Sequence, residues 1–334
     1  ARPHPRQCPA AYRLRLRHPP LRRRAAGGIA IEDPARRNAQ TSPARRCGGR
    51  CRACARQFRP WLPQAGSPGL DILIAPQRVI EQSGADILRL WVATTDYTED
   101  MRIGPEIVKG LVDSYRRLRN TLRYLLGNLS EFDEGERLPF TDLPELERWI
   151  LHRLHELNGV LHSAIGDYAF HTFYSALHNF CATDLSAFYF DVRKDALYCD
   201  PPDSQRRRAA RTVLDHLFCC LTAWLAPALP FTAEEAWLSR FPSEDDSVHL
   251  RLFPDLPGVW KDPELGVRWS RVREIRRLVT GALEVERAEK RIGSSLEASV
   301  CIYYSDSDED RLGNSVDMAE LAIASEVVWS SEEA

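Results

Sequence analysis

Five side chains on one short run carry the clearest chemistry in this sequence: Arg116, Arg117, Arg119, Asn120 and Arg123. Arg116, Arg119 and Arg123 recur at steps of three and four, so a helix would bring them to one face. A guanidinium presents a planar fork that matches phosphate oxygens, and a row of them can hold a polyanionic backbone. The competing possibility is a solvated polar face with no partner. Arg206, Arg207 and Arg208 form a second cluster, and Arg271 and Arg276 belong to a third, which runs from Arg268 to Arg277.

Other chemistry is thin. Cys47, Cys51 and Cys54, with Cys8 or His18 as a fourth ligand, resemble a zinc set only weakly, because C-x3-C-x2-C lacks a second Cys/His pair at a set distance. No metal site is expected. His152-x-x-His155 lacks the Glu of a metalloprotease helix. His171, His178 and the adjacent Cys219 and Cys220 read as packed or surface residues. The run Lys290-Arg291-Ile292-Gly293-Ser294-Ser295 is glycine- and serine-containing, but a strand follows it and none precedes it, unlike a phosphate loop. With no Ser/His/Asp order and no paired catalytic carboxylates, no catalytic residue is assigned.

The elements that must position the arginines are helices. Leu111, Tyr115, Leu118, Leu122 and Leu125 form an apolar seam beside the first row. Pro105 suits the first turn of that helix, and Gly127 and Asn128 suit its end. Asp142 is expected to cap a second helix, buried along Leu146, Ile150, Leu154, Leu157, Leu161 and Ile165. A third follows Gly166-Asp167, with Phe170, Phe173, Leu177, Phe180 and Phe188 inward. A fourth starts near Asp203 and buries Val213, Leu217, Leu221 and Trp224. Thr232-x-x-Glu235 reads as a capping box for a short helix. Phe241 to Trp260 reads as a long surface connection, and Val267 to Lys290 as a further helix before a strand over Ala298 to Tyr304. Short loops between amphipathic helices predict a mainly α fold, an antiparallel bundle with a small mixed α/β C-terminal piece.

Composition divides the chain. Residues 1–70 hold sixteen Arg against two acidic residues, no apolar period and many Pro and Gly, which predicts a disordered basic segment. The remainder is acidic enough to bring the net charge to −2. The expected divisions are 1–70, helices over 71–130, a bundle over 131–260 and a C-terminal piece over 261–334. No stretch is long and apolar enough to span a membrane, and nine Cys without a framework predict reduced thiols in a cytoplasmic setting.

The runs GADILRLWVATTDYTEDMRI, YRRLRNTLRYLLGNL, FYFDVRKDALYCD, WLAPALPFTAEEAW and GSSLEA resemble isoleucyl-tRNA synthetases, beyond their catalytic domain. The resemblance covers roughly residues 75–305 and implies an anticodon-binding helical bundle. It implies tRNA(Ile) as partner, a monomer, and a parent reaction that joins isoleucine to tRNA with ATP and Mg. No cofactor is expected in this chain itself. The ten polar residues Arg116, Arg117, Arg119, Asn120, Arg123, Arg206, Arg207, Arg208, Arg271 and Arg276 then become RNA-contact candidates. The alternatives are a helical protein-interaction module, or the same portion of a valyl- or leucyl-type enzyme. In the family, the place of Gly66 to Leu73 holds a lysine-rich ATP-contacting loop, and no H-x-G-H element is found here either. The abrupt switch to family-like text near Ala75 implies that residues 1–70 are disordered or read out of frame. The acidic tail from Ser305 ends without the cysteine-rich module that some of these enzymes carry.

Overall fold

The computed structural model describes residues 14–17, 75–303 and 316–330. The expectations on Cys8, His18, Cys47, Cys51 and Cys54, on Gly66 to Leu73 and on most of the acidic tail lie outside the described residues. Helix α1 (Pro76–Ser83) and α2 (Ala85–Thr94) meet at Gly84, whose φ of 89° strains any residue with a Cβ. In α3 (Pro105–Asn128), Leu118, Leu122 and Leu125 are buried as the period predicts, with Leu111 and Tyr115 half-buried against the core.

Helix α4 (Glu145–Gly166) and α5 (Phe170–Asn179) follow, and α5 passes into a π-helical stretch, Phe180–Tyr189, closed by the short α6 (Phe190–Val192). Buried residues there come in pairs four apart: Phe180-Cys181, Asp184-Leu185 and Phe188-Tyr189. Such a spacing drifts off a 3.6-residue stripe, and a wider turn keeps all three pairs inward. The chain continues through α7 (Lys194–Tyr198), α8 (Gln205–Leu225), α9 (Pro230–Arg240), α10 (Pro263–Ala288) and α11 (Met318–Ala322). Helix α8 is the centre of the bundle, flanked by α3, α4, α7 and α9, and its Val213, Leu217, Leu221 and Trp224 are fully buried. Trp149 of α4 stacks on Trp269 of α10 at 5.4 Å, with Phe188 edge-on to Trp149.

The small sheet has order β1-β2-β3. Strand β2 (Ser299–Tyr303) pairs parallel with β3 (Glu326–Ser330) and antiparallel with β1 (Leu14–Arg17), Leu14 facing Ile302. Strand β1 falls within the stretch expected to be irregular. It occupies the edge of β2 that β3 leaves open, a pairing no local period announces.

Several local expectations are corrected. Ile165 and Phe170, expected inward, are 39% and 40% exposed at the ends of α4 and α5. Asp142 does not cap α4: it ends a single turn, Phe140–Asp142, and Pro144 holds the N-cap place. Thr232 lies inside α9 rather than ahead of it, because Pro230 already begins the helix. The connection from Phe241 to Trp260 is pinned to the bundle by buried Val248, Leu256 and Trp260. Helix α10 starts at Pro263, four residues earlier than expected, capped by Asp262, whose carboxylate accepts from Leu265 N at 3.0 Å. Among the described residues no helix is long and apolar enough to cross a membrane.

Candidate nucleic-acid interface

The buried seam of α3 turns its opposite face outward, and Arg116, Arg117, Arg119, Asn120 and Arg123 are all exposed on it. Arg116 pairs with Asp113 at 3.0 Å and Arg119 with Glu235 of α9 at 3.2 Å. All four of these side chains are more than half exposed, so each pair is worth about 0.2–1 kcal/mol and can yield to a better anion. Arg117, Asn120 and Arg123 have no partner among the described residues.

The position of α9 beside this row is set by α2. The Asp86 carboxylate, 6% exposed, accepts from Thr232 N at 2.9 Å and Thr232 Oγ1 at 2.6 Å. Thr232 N is one of the first-turn donors that a helix cannot satisfy internally, and a carboxylate there also suits the positive end of the helix dipole. Tyr115 of α3 meets Thr232 Oγ1 at 2.9 Å. One turn further along α2, Arg89 donates to the carbonyls of Pro227 at 2.6 Å and Ala228 at 3.2 Å, just past the end of α8. A single helix thus supplies an anion to the start of α9 and a cation to the end of α8. Gly84-Ala85-Asp86 has a physical account: Gly84 makes the left-handed break, and Asp86 caps a distant helix.

The other arginines have protein partners. Arg206 forks onto Asp200 at 2.9 and 3.0 Å and reaches Glu320 of α11 at 3.1 Å. Arg207 donates to the Asp200 carbonyl, and Arg208 to the carbonyls of Gly135 and Glu136. Arg271 pairs with Glu274 at 2.8 Å. Arg276 donates to the Leu321 carbonyl at 2.6 Å and lies over the Phe188 ring. Beneath them, Arg193 grips the fully buried Glu147 at 2.5 and 2.8 Å and Glu320 at 2.8 Å. This network ties α4, α8 and α11 together through Arg193.

The remaining candidates carry no catalytic geometry. His152 is buried, its Nδ1 accepting from Asp262 N at 3.1 Å; burial lowers its pKa. Gly266 lies so close that a Cβ there would meet His152 Nε2 at 2.6 Å. Burial pushes the Cys219 thiol up to about 11 and Cys220 higher still, so neither is a ready thiolate. No group of three or more His, Cys, Asp or Glu able to hold a metal occurs among the described residues. In the Lys290–Ser295 turn, Gly293 N donates to Glu297 at 2.9 Å and Arg291 pairs with Glu286 and Glu289. Its amide and its guanidinium are already engaged by carboxylates, which leaves neither of them free to hold a phosphate.

Sequence reasoning missed Asp86, Arg89 and the buried Glu147–Arg193 pair. Asp86 was visible as a carboxylate in the second position of a helix after a glycine, but its partner lies 146 residues away.

Residues 147–302 match the model of the anticodon-binding domain of tRNA ligases. With the helical fold around it, this defines the class: an anticodon-binding bundle of a tRNA ligase. The chain is 51% identical over 267 residues to the isoleucine–tRNA ligase of Agrobacterium fabrum, covering 80% of this chain and 27% of that one. To the isoleucine–tRNA ligase of Gluconobacter oxydans it is 55% identical over 259 residues, 78% of this chain and 27% of the other. The chain belongs to the isoleucine–tRNA ligase family, and it spans 27% of the length of these two relatives. A solved LeuRS–tRNA–LeuAMS complex from Agrobacterium radiobacter K84 aligns over 59% of this chain and 23% of that chain, at 16% identity and a TM-score of 0.44.

Proposed function

We propose that this chain is the tRNA-binding portion of an isoleucine–tRNA ligase, holding the anticodon arm of tRNA(Ile) through phosphate contacts and splayed bases. The observation that carries this is the exposed α3 row on an anticodon-binding bundle. Arg116, Arg117, Arg119, Asn120 and Arg123 are its leading contacts. Arg206, Arg207 and Arg208 act first as clamps between helices and loops, and Arg271 and Arg276 stand between the two groups. The parent reaction would be isoleucylation of tRNA with ATP and Mg as co-substrate and ion, carried out by a monomer in the cytoplasm. This chain contributes binding, not chemistry, so isoleucine-dependent ATP–pyrophosphate exchange by the purified protein should stay at background. Binding without stabilising the transition state does not accelerate a reaction.

The test is binding to tRNA(Ile) and to an unrelated tRNA, over a range of salt. The double variant Arg116→Gln/Arg119→Gln should bind more weakly, with a salt slope about one unit shallower per lost contact. Equal affinity and slope in variant and wild type would return the row to a solvated face and favour a protein-interaction module.

A further inference from the structure

Outside the α3 row, α10 and the π-helical stretch enclose a cavity of about 190 Å³ lined by Thr183, Phe188, Arg273, Arg276, Arg277 and Thr280. That is room for about six waters, or for one phosphate group with part of its hydration shell. Arg273, Arg276 and Arg277 stand three and four residues apart on α10, so one helix face delivers all of them. Their nearest carboxylates are divided with other cations. Asp184 accepts from Arg273 at 2.7 Å and from Arg153 at 3.3 Å, and Asp191 holds Lys194 at 2.8 Å while standing 3.8 Å from Arg276.

Pairing each cation with its nearest carboxylate matches Arg153 with Glu156, Arg273 with Asp184 and Lys194 with Asp191. Arg276 and Arg277 are left over. Arg276 makes its one close bond to a carbonyl, and burial holds its pKa below the ordinary value, as expected of a cation short of counter-charge. Arg277 is exposed and has no partner among the described residues. Both threonine hydroxyls donate to backbone carbonyls, Thr183 to Asn179 and Thr280 to Arg276, which leaves the guanidinium groups as the donors facing the cavity.

We infer that this cavity seats one phosphate of a bound RNA backbone, gripped by Arg277 from the solvent side and Arg276 from within. The inference rests on the tRNA-binding role proposed above. It adds a second anchor, on α10 and the π-helical stretch, whose lining includes no residue of α3. The wide π turn contributes by keeping Phe188 inward as the floor on which Arg273 and Arg276 lie, at 5.5 and 4.9 Å from its ring centre.

The experiment compares wild type, Arg277→Gln and Arg116→Gln/Arg119→Gln, as full chains, for tRNA affinity against salt and for binding of inorganic phosphate alone. Arg277→Gln should keep the wild-type melting temperature, lose about tenfold in tRNA affinity, the size of one charge-assisted hydrogen bond, and have a slope shallower by roughly 0.7–0.9. Unchanged affinity and slope in Arg277→Gln, with both reduced in the α3 variant, would overturn the cavity assignment and leave the α3 interface standing. A saturable inorganic-phosphate site lost in Arg277→Gln, without any change in RNA binding, would assign the cavity to free phosphate and overturn the RNA seat. Failure of the wild type to bind tRNA would remove both the proposed role and this inference.

Discussion

The arginines of α3 and those that begin α8 have the same side chain, similar spacing and different surroundings. On α3, Arg117 and Arg123 project into solvent without partners among the described residues, and Arg116 and Arg119 keep only exposed pairs. On α8, Arg206 forks onto Asp200 and reaches Glu320, while Arg207, Arg208 and Arg211 close on the carbonyls of Asp200, Gly135, Glu136 and Ser130. Composition does not separate an exposed row from a set of clamps. What separates them is whether the protein itself provides acceptors where the guanidinium arrives.

The strongest way to sharpen this contrast is to remove a clamp that is almost wholly buried. Arg193→Met should leave Glu147 buried without its partner and cost about 3–5 kcal/mol, read as a shift in the urea midpoint. A loss under 1 kcal/mol would mean that the site opens to water and that interior and surface arginines are less distinct than described. Next in size is the cap supplied across the fold. Asp86→Ala should cost about 1–2 kcal/mol, and amide exchange should rise first in the opening turn of α9. Uniform protection of that turn in the variant would show that Thr232 does not depend on Asp86.

A smaller effect is expected where a clamp is half exposed. Arg206→Gln and Arg208→Gln should each cost about 1 kcal/mol, while the salt slope of tRNA binding stays at the wild-type value. A shallower slope in either would move α8 to the binding side of the comparison. Smaller again is the response to pH. His152, His178 and His216 all have pKa values lowered by burial from the ordinary 6.5. The unfolded chain therefore takes up protons before the folded one. Stability is complete above about 6.5 and falls as pH drops from there toward the folded pKa values. Asp96, Glu134 and Asp200, all lowered from carboxylate values, respond only at more acid pH. Melting temperature should thus decline between about pH 6.5 and 5, less steeply in His152→Gln. A flat profile over that range would contradict the lowered pKa values of these imidazoles.

Much of the bundle was legible because its periods are local. The α3 seam, the buried line of α8 and the strand after the Gly293 turn follow from residues a few positions apart. What failed was set at long range. Thr232-x-x-Glu235 has the pattern of a capping box, yet Pro230 already starts the helix and Asp86, far away in sequence, provides the acceptor. Phe180 to Tyr189 kept Phe180 and Phe188 inward but not its helix type, since over so short a stretch a spacing of four drifts only slowly off a 3.6-residue stripe and packing chooses the wider turn. Within the candidate interface, the α3 row could be placed on one face from sequence alone. That Arg206, Arg208 and Arg276 meet carbonyls and carboxylates could not, because their acceptors lie on loops and on α11.

The most direct test of the central contrast is the salt dependence of tRNA affinity in Arg117→Gln/Arg123→Gln. Neither side chain has a partner among the described residues, so the fold should be indifferent, with stability within about 0.5 kcal/mol of wild type. If the row binds phosphate, the slope of log affinity against log salt should become shallower by roughly 1.4–1.8 for two lost contacts. An unchanged slope with an intact fold would contradict the account and make the α3 row a solvated surface.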